Sequence, residues 1–177
     1  YKTEIPGAMG EQKLTPRIKE TAQALWLIYL GLTVICAFLY YINGMSTFDA
    51  ISHSMSTVAI GGFSTHDESI GFFNSLSIEL ICMVFMLLSA FSFTLHYLAL
   101  YKKKPLKYLY DPELRFFLAV ITLIFIVAII ISASSNDINA NRIKDIAFHT
   151  VSMITTTGFT VSDSSDWPFS ISFLLLV

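Results

Sequence analysis

The sequence predicts an all-α membrane protein built from a repeated unit: a spanning helix, a short helix, a glycine-containing loop and a second spanning helix. Three observations predict it. First, 54% of the 177 residues are hydrophobic and only 14% are charged, against about 25% charged residues in a soluble domain. Second, uncharged runs recur at the length of a bilayer crossing, in a chain whose mean hydropathy is +0.64. Third, one stretch is written twice. A constant offset carries Asp49, His53, Ser56, Gly62, Phe63 and Asp67 onto Asp145, His149, Ser152, Gly158, Phe159 and Asp163, with Ser64 on Thr160. A repeat of this kind decides the fold.

In chain order, residues 1–20 are polar and hold Pro6, Gly7, Gly10 and Pro16. They are expected to form a cytoplasmic linker with a helix start at Thr15-Pro16. The first unit follows over 21–110. Its first span, 22–42, would be a helix of about 31 Å and ends at Asn43-Gly44. Ser46 with Asp49 signals a new helix, but the apolar stretch behind it stops at Gly61-Gly62. A dozen residues cannot cross a bilayer, so a re-entrant short helix is expected over 47–59 and a loop over 59–64. A second span is expected over 74–101. The lysines from Lys102 to Lys107 then mark the cytoplasmic side, as do Lys2, Lys13, Arg17 and Lys19. Asn43 to Phe72 holds no Lys or Arg, so the short helices are expected to enter from outside. The second unit, 111–177, restarts the series with a span over 113–134, a short helix over 143–155, a loop over 155–160 and the start of a span over 168–177. Because the chain opens on Tyr1 and closes at Val177 inside an apolar run, it is expected to be a fragment of a longer polypeptide.

Composition excludes several classes. The net charge of −2 leaves no footprint for nucleic acid. Cys36 and Cys82 sit in apolar runs and are expected to be buried small hydrophobes, not a disulfide or a metal site. No motif for an organic cofactor is present.

The repeated stretch carries ion chemistry. A bare cation in hydrocarbon costs tens of kcal/mol, so a pathway replaces water oxygens with protein oxygens, and backbone carbonyls do this for potassium. Glycine accepts backbone angles closed to other residues, and Gly62 and Gly158 stand where they are needed. Irregular backbone at membrane depth is tolerated where it is buried in protein or lines a cavity. The short helices direct their negative C-terminal ends inward, which favours a cation. Asp49 and Asp145 are expected to cap them. Asp67, Glu68 and Asp163 are expected at an outer mouth, as cation concentrators or as a solvated loop. His53 and His149 are expected to pack and hydrogen-bond between helices, and His96 to be an interior or interfacial helix residue. His66 has no counterpart in the second copy, where Ser162 stands, and carries no assigned role. Glu79 and Arg115 are expected to reach the interface.

On Ile60-Gly61-Gly62-Phe63-Ser64-Thr65-His66-Asp67 and Thr155-Thr156-Thr157-Gly158-Phe159-Thr160, each between two spans, the sequence resembles the Trk/Ktr/HKT superfamily of potassium transporters, nearest its bacterial TrkH branch. The resemblance implies a pore of potassium-channel type, with four linked units of helix, pore helix, filter and helix, of which this chain holds the second and third. It makes Gly62 and Gly158 the filter glycines, flanked by Ala59, Ile60, Gly61 and Phe63 and by Thr155, Thr156, Thr157 and Phe159, with potassium as substrate at Ile60, Gly61, Thr156 and Thr157. Plant members with serine at a filter glycine pass sodium, so two glycines imply potassium. Implied partners are the lipid bilayer, the remaining pore units of the same polypeptide, a second copy in a homodimer and a cytosolic nucleotide-binding regulatory subunit. The implied location is the bacterial inner membrane, and the implied gate is a glycine-rich loop beyond Val177.

Two other functions fit parts of the pattern. A two-pore-domain potassium channel would close its ring as a dimer, but its filters usually carry a second glycine where Ser64 and Thr160 stand. An intramembrane serine protease could use Ser64 with His96 or His149, yet the second copy lacks a matched base. A membrane scaffold gives no reason for glycine in both copies.

Overall fold

The computed structural model describes residues 8–100, 110–134 and 139–162. These residues form α1 (Ala8–Ile42), α2 (Thr47–Val58), α3 (Leu76–Ala90), α4 (Phe93–Leu100), α5 (Pro112–Ser134) and α6 (Ala140–Ile154), with a 3-10 turn at Ser69–Phe73 and no strand among them. The lysine cluster, Asp163 and the expected final span lie outside the described residues.

Among the described residues, two helices are long and apolar enough to cross a membrane: α1 over Lys19–Ile42 and the whole of α5. In α1 the buried residues Ala24, Ile28, Cys36 and Tyr40 recur at helical spacing, while Trp26, Leu27, Val34 and Phe38 stand exposed on other faces. The expected linker is helical from Ala8 onward. Residues 8–15 are mostly good helix formers, and their propensity carries the helix past Pro16. α1 ends on a Schellman turn, with Gly44 N–H donating to Tyr41 O (3.1 Å) and Met45 N–H to Tyr40 O (3.2 Å). Gly44 takes the left-handed position at φ 105°, as expected for a residue without Cβ.

The expected span over 74–101 is broken. α3 is 15 residues long, about 22 Å, and Phe91 is extended at φ −73°, ψ 148° before α4 resumes. The break frees the carbonyl of Leu88. It accepts the N–H of Phe91 (3.3 Å) and a hydrogen bond from His96 Nε2 (2.8 Å). His96, 4% exposed, thus satisfies backbone that an apolar environment would otherwise leave bare.

The core lies where α1, α2 and α3 meet around Cys36, Tyr40 and Cys82. Both cysteines are free and buried. Thr57 Oγ1 donates to His53 O (2.7 Å) and so accepts from Tyr40 Oη (3.0 Å). This pins the short helix α2 to α1.

Candidate functional site

The two short helices end on the same three backbone hydrogen bonds. After α2, Ala59 N–H donates to Met55 O, Ile60 N–H to Thr57 O and Gly61 N–H to Ser56 O. After α6, Thr155 N–H donates to Val151 O, Thr156 N–H to Met153 O and Thr157 N–H to Ser152 O. Both are Schellman turns like the one that ends α1. The left-handed position is filled differently: Ile60 (φ 55°) and Thr156 (φ 61°) stand where α1 has glycine. A β-branched residue there is strained by roughly 1–3 kcal/mol. Two residues on, Gly62 (φ 67°) and Gly158 (φ 85°) are left-handed too, whereas Gly61 and Thr157 are not. Each loop therefore alternates in hand. The sequence pointed to the glycines and gave no sign of the strain ahead of them.

The loops also meet. A Cβ on Gly62 would overlap the carbonyl oxygen of Thr157 and lie 3.0 Å from its carbonyl carbon. Gly62 is thus held by its backbone angle and by the second loop. Gly158 has the same handedness and, among the described residues, nothing within 4 Å of a Cβ position. Gly71 N–H donates to Thr160 O (3.1 Å), and Thr160 N–H donates to Ser69 Oγ (3.2 Å). The turn after the first loop thereby clasps the end of the second.

Side chains behind the loops hold them. Ser152 Oγ donates to Phe159 O (2.7 Å), and Ser152 O accepts from Thr157 N–H, Gly158 N–H and Thr155 Oγ1. Thr157 Oγ1 lies 2.8 Å from Thr155 Oγ1 and donates to it, since Thr155 gives its own proton to Ser152 O. Phe159 is wholly buried, 6.2 Å from the ring of His53. Phe63, its counterpart, is 81% exposed. Ala59 and Thr156 are exposed, and Ile60 and Gly61 half-buried.

The recurring histidines share one bond. His53 Nδ1 donates to Asp49 O and His149 Nδ1 to Asp145 O, each 2.8 Å away. A carbonyl only accepts, so Nδ1 carries the proton. His53 Nε2 then accepts from Ser64 Oγ (2.9 Å). The pair resembles a nucleophile and base, but Ser64 Oγ also accepts the N–H of His66, and the contact ties the loop's outer end to α2. The histidines earlier matched with Ser64, His96 and His149, bond instead to Leu88 O and Asp145 O.

At the start of α2, Ser46 is the N-cap and bonds twice to Asp49. Ser46 Oγ accepts Asp49 N–H (3.1 Å) and donates to Asp49 Oδ2 (2.7 Å). Thr65 Oγ1 donates to Asp49 Oδ1 (2.6 Å) and His66 Nε2 lies 3.3 Å from the same oxygen. These bonds, Thr65's foremost, hold the Asp49 carboxyl below its ordinary range. Asp145 does not cap α6, because that helix starts earlier, on Asn139, whose side chain accepts Arg142 N–H. Asp67 and Glu68 line an open depression with Thr65, His66 and Phe72. Glu79 departs furthest from expectation. Only 2% of it is exposed, and it pairs with Lys144 of α6 over 3.1 Å. Its partner lies 65 residues away, beyond the reach of local pattern.

Comparison with known proteins completes the description. The family model TrkH, a cation transport protein, matches residues 1–177. The chain is 51% identical over 178 residues to the Trk system potassium uptake protein TrkH of Halomonas elongata, covering 100% of this chain and 37% of the relative. It is 44% identical to the protein of the same name from Escherichia coli K12, across 99% of this chain and 37% of that one. The crystal structure of the potassium transporter TrkH from Vibrio parahaemolyticus superposes with a TM-score of 0.85 at 47% identity, covering 90% of this chain and 35% of that one. The chain thus spans little more than a third of these relatives' length. The chain belongs to the TrkH family of cation transport proteins.

Proposed function

We propose that this chain supplies the second and third of four pore units in a Trk-type potassium uptake protein, a multi-pass protein of the bacterial inner membrane. The observation that carries the reading is the alternation of hand at Ile60, Gly62, Thr156 and Gly158. In an extended strand successive carbonyls point to opposite sides; reversing the hand at every second residue aligns them on one side, as a filter of carbonyls requires. The ion would meet carbonyls of Ala59–Phe63 and Thr155–Phe159, with Ile60, Gly61, Thr156 and Thr157 as its main ligands. Asp67, Glu68 and Asp163 would draw cations to the mouth. The exposed Phe63 and the open space beside Gly158 are the faces that the flanking units would cover, since within the chain Phe159 and Gly62 meet a neighbouring unit at the matching places. A homodimer and a cytosolic nucleotide-binding regulator complete the reading, in keeping with relatives named as parts of a Trk system. The comparisons give no support to a two-pore-domain channel or an intramembrane protease.

The test is uptake of potassium against sodium by the full-length protein in proteoliposomes. Gly62→Ser and Gly158→Ser are each expected to lower the preference for potassium. A preference unchanged in both would overturn the filter assignment.

A further inference from the structure

The pair of buried Glu79 and half-buried Lys144 crosses the boundary between the two units. Glu79 lies in the first turn of α3 and Lys144 in the first half of α6, with Nζ donating to Oε1 over 3.1 Å and lying 3.8 Å from Asp145 Oδ1. The second carboxylate oxygen, Oε2, is buried with no hydrogen-bond partner among the described residues. As a device for stability this arrangement is poor. A carboxylate taken out of water loses hydration that a single hydrogen bond does not return, and two apolar side chains of similar volume commonly hold helices together as well or better. Lys144 also sits toward the positive end of the α6 dipole, where a cation is disfavoured. In the first unit the exposed Phe48 occupies the matching place, so the pair has no copy there.

What an ion pair adds over apolar contact is one preferred geometry. α6 leads directly into Thr155–Gly158, and those residues hang from Val151 O, Ser152 O and Met153 O at its end. A slip of α6 by one residue would move that end by about 1.5 Å and turn it by about 100°. Either change would carry Thr157 O away from Gly62. We infer that Glu79 is a positioning residue for the filter: through Lys144 it fixes the height and rotation of α6, and so the register of Thr155–Gly158 against Gly62.

The inference rests on the potassium-filter reading, and one experiment separates the two. The full-length wild-type protein in proteoliposomes reports its ratio of potassium to sodium uptake, and a wild type without potassium preference overturns the filter reading together with this inference. Where the preference is present, Glu79→Gln and Lys144→Gln are each expected to lower the ratio by roughly threefold or more, the lower range for coupled contacting residues. The exchange Glu79→Lys with Lys144→Glu is expected to regain most of it. Glu79→Leu with Lys144→Leu is expected to keep the wild-type Tm and still lose selectivity. A leucine pair that keeps both Tm and ratio overturns the inference. So do single variants whose Tm falls while the ratio stays at the wild-type value.

Discussion

The two units share a hydrogen-bond pattern at the end of the short helix, yet their loops are held differently. In the second, Phe159 is buried beside His53, Ser152 Oγ bonds to Phe159 O, and Thr160 is clasped by Ser69 and Gly71. In the first, Phe63 is exposed and Ser56 Oγ is buried without a hydrogen-bond partner. The residues are the same types at matched positions. The difference lies in the neighbour: the second loop leans on the first unit, and the first loop has no described unit ahead of it. A repeat fixes what each copy can do locally, and its place in the series fixes which contacts it completes.

Substitutions can break or sharpen that contrast. Phe159→Ala should have the largest effect, since emptying a buried aromatic site costs about 3–5 kcal/mol. Phe63→Ala should cost far less if its face is open in the whole protein, and a comparable amount if a preceding unit covers it. Thermal unfolding of the full-length protein in detergent decides between these. Next come the glycines. An alanine at either adds roughly 1–2 kcal/mol of left-handed strain, and Gly62→Ala adds the overlap with Thr157 O. A larger drop in Tm for Gly62→Ala than for Gly158→Ala is expected if Gly158 stays open, and equal drops if a following unit abuts it. Ile60→Gly and Thr156→Gly should act in the opposite direction, raising stability by about 1 kcal/mol as left-handed strain is relieved, while the looser loop lowers ion preference in the uptake assay. The smallest effect concerns pH. The Asp49 carboxyl titrates below its ordinary range when folded, so its contribution is complete above the unfolded value, about 3.9, and fades as pH falls through the folded one. Asp49→Asn should lower the neutral plateau of Tm slightly and flatten that part of the acid limb, so that variant and wild type converge as pH falls.

The repeat, the two long apolar helices and the two glycines were legible because composition and offset are local properties of the chain. Four other features were not. The break at Phe91–Ser92 lies in a run without Gly, Pro or a carboxylate to mark it, and what stabilises it is a histidine reaching back to Leu88 O. The earlier start of α6 had a signal in Asn139, a good N-cap residue, which the match of Asp145 to Asp49 obscured. The left-handed Ile60 and Thr156 contradict the ordinary preference of β-branched residues, so propensity points away from them. Glu79 looked like a span-end carboxylate because its partner belongs to the other unit.

The clasp on Thr160 bears on how such a protein is made. Chains emerge N-terminus first, so Ser69 and Gly71 are present before Thr160 has been synthesised. The turn at Ser69–Phe73 then offers a hydroxyl oxygen and an N–H to the one residue whose own N–H and carbonyl both bond to it. The second of these two units would thus find the end of its loop already templated by the first, which gives their assembly a built-in direction.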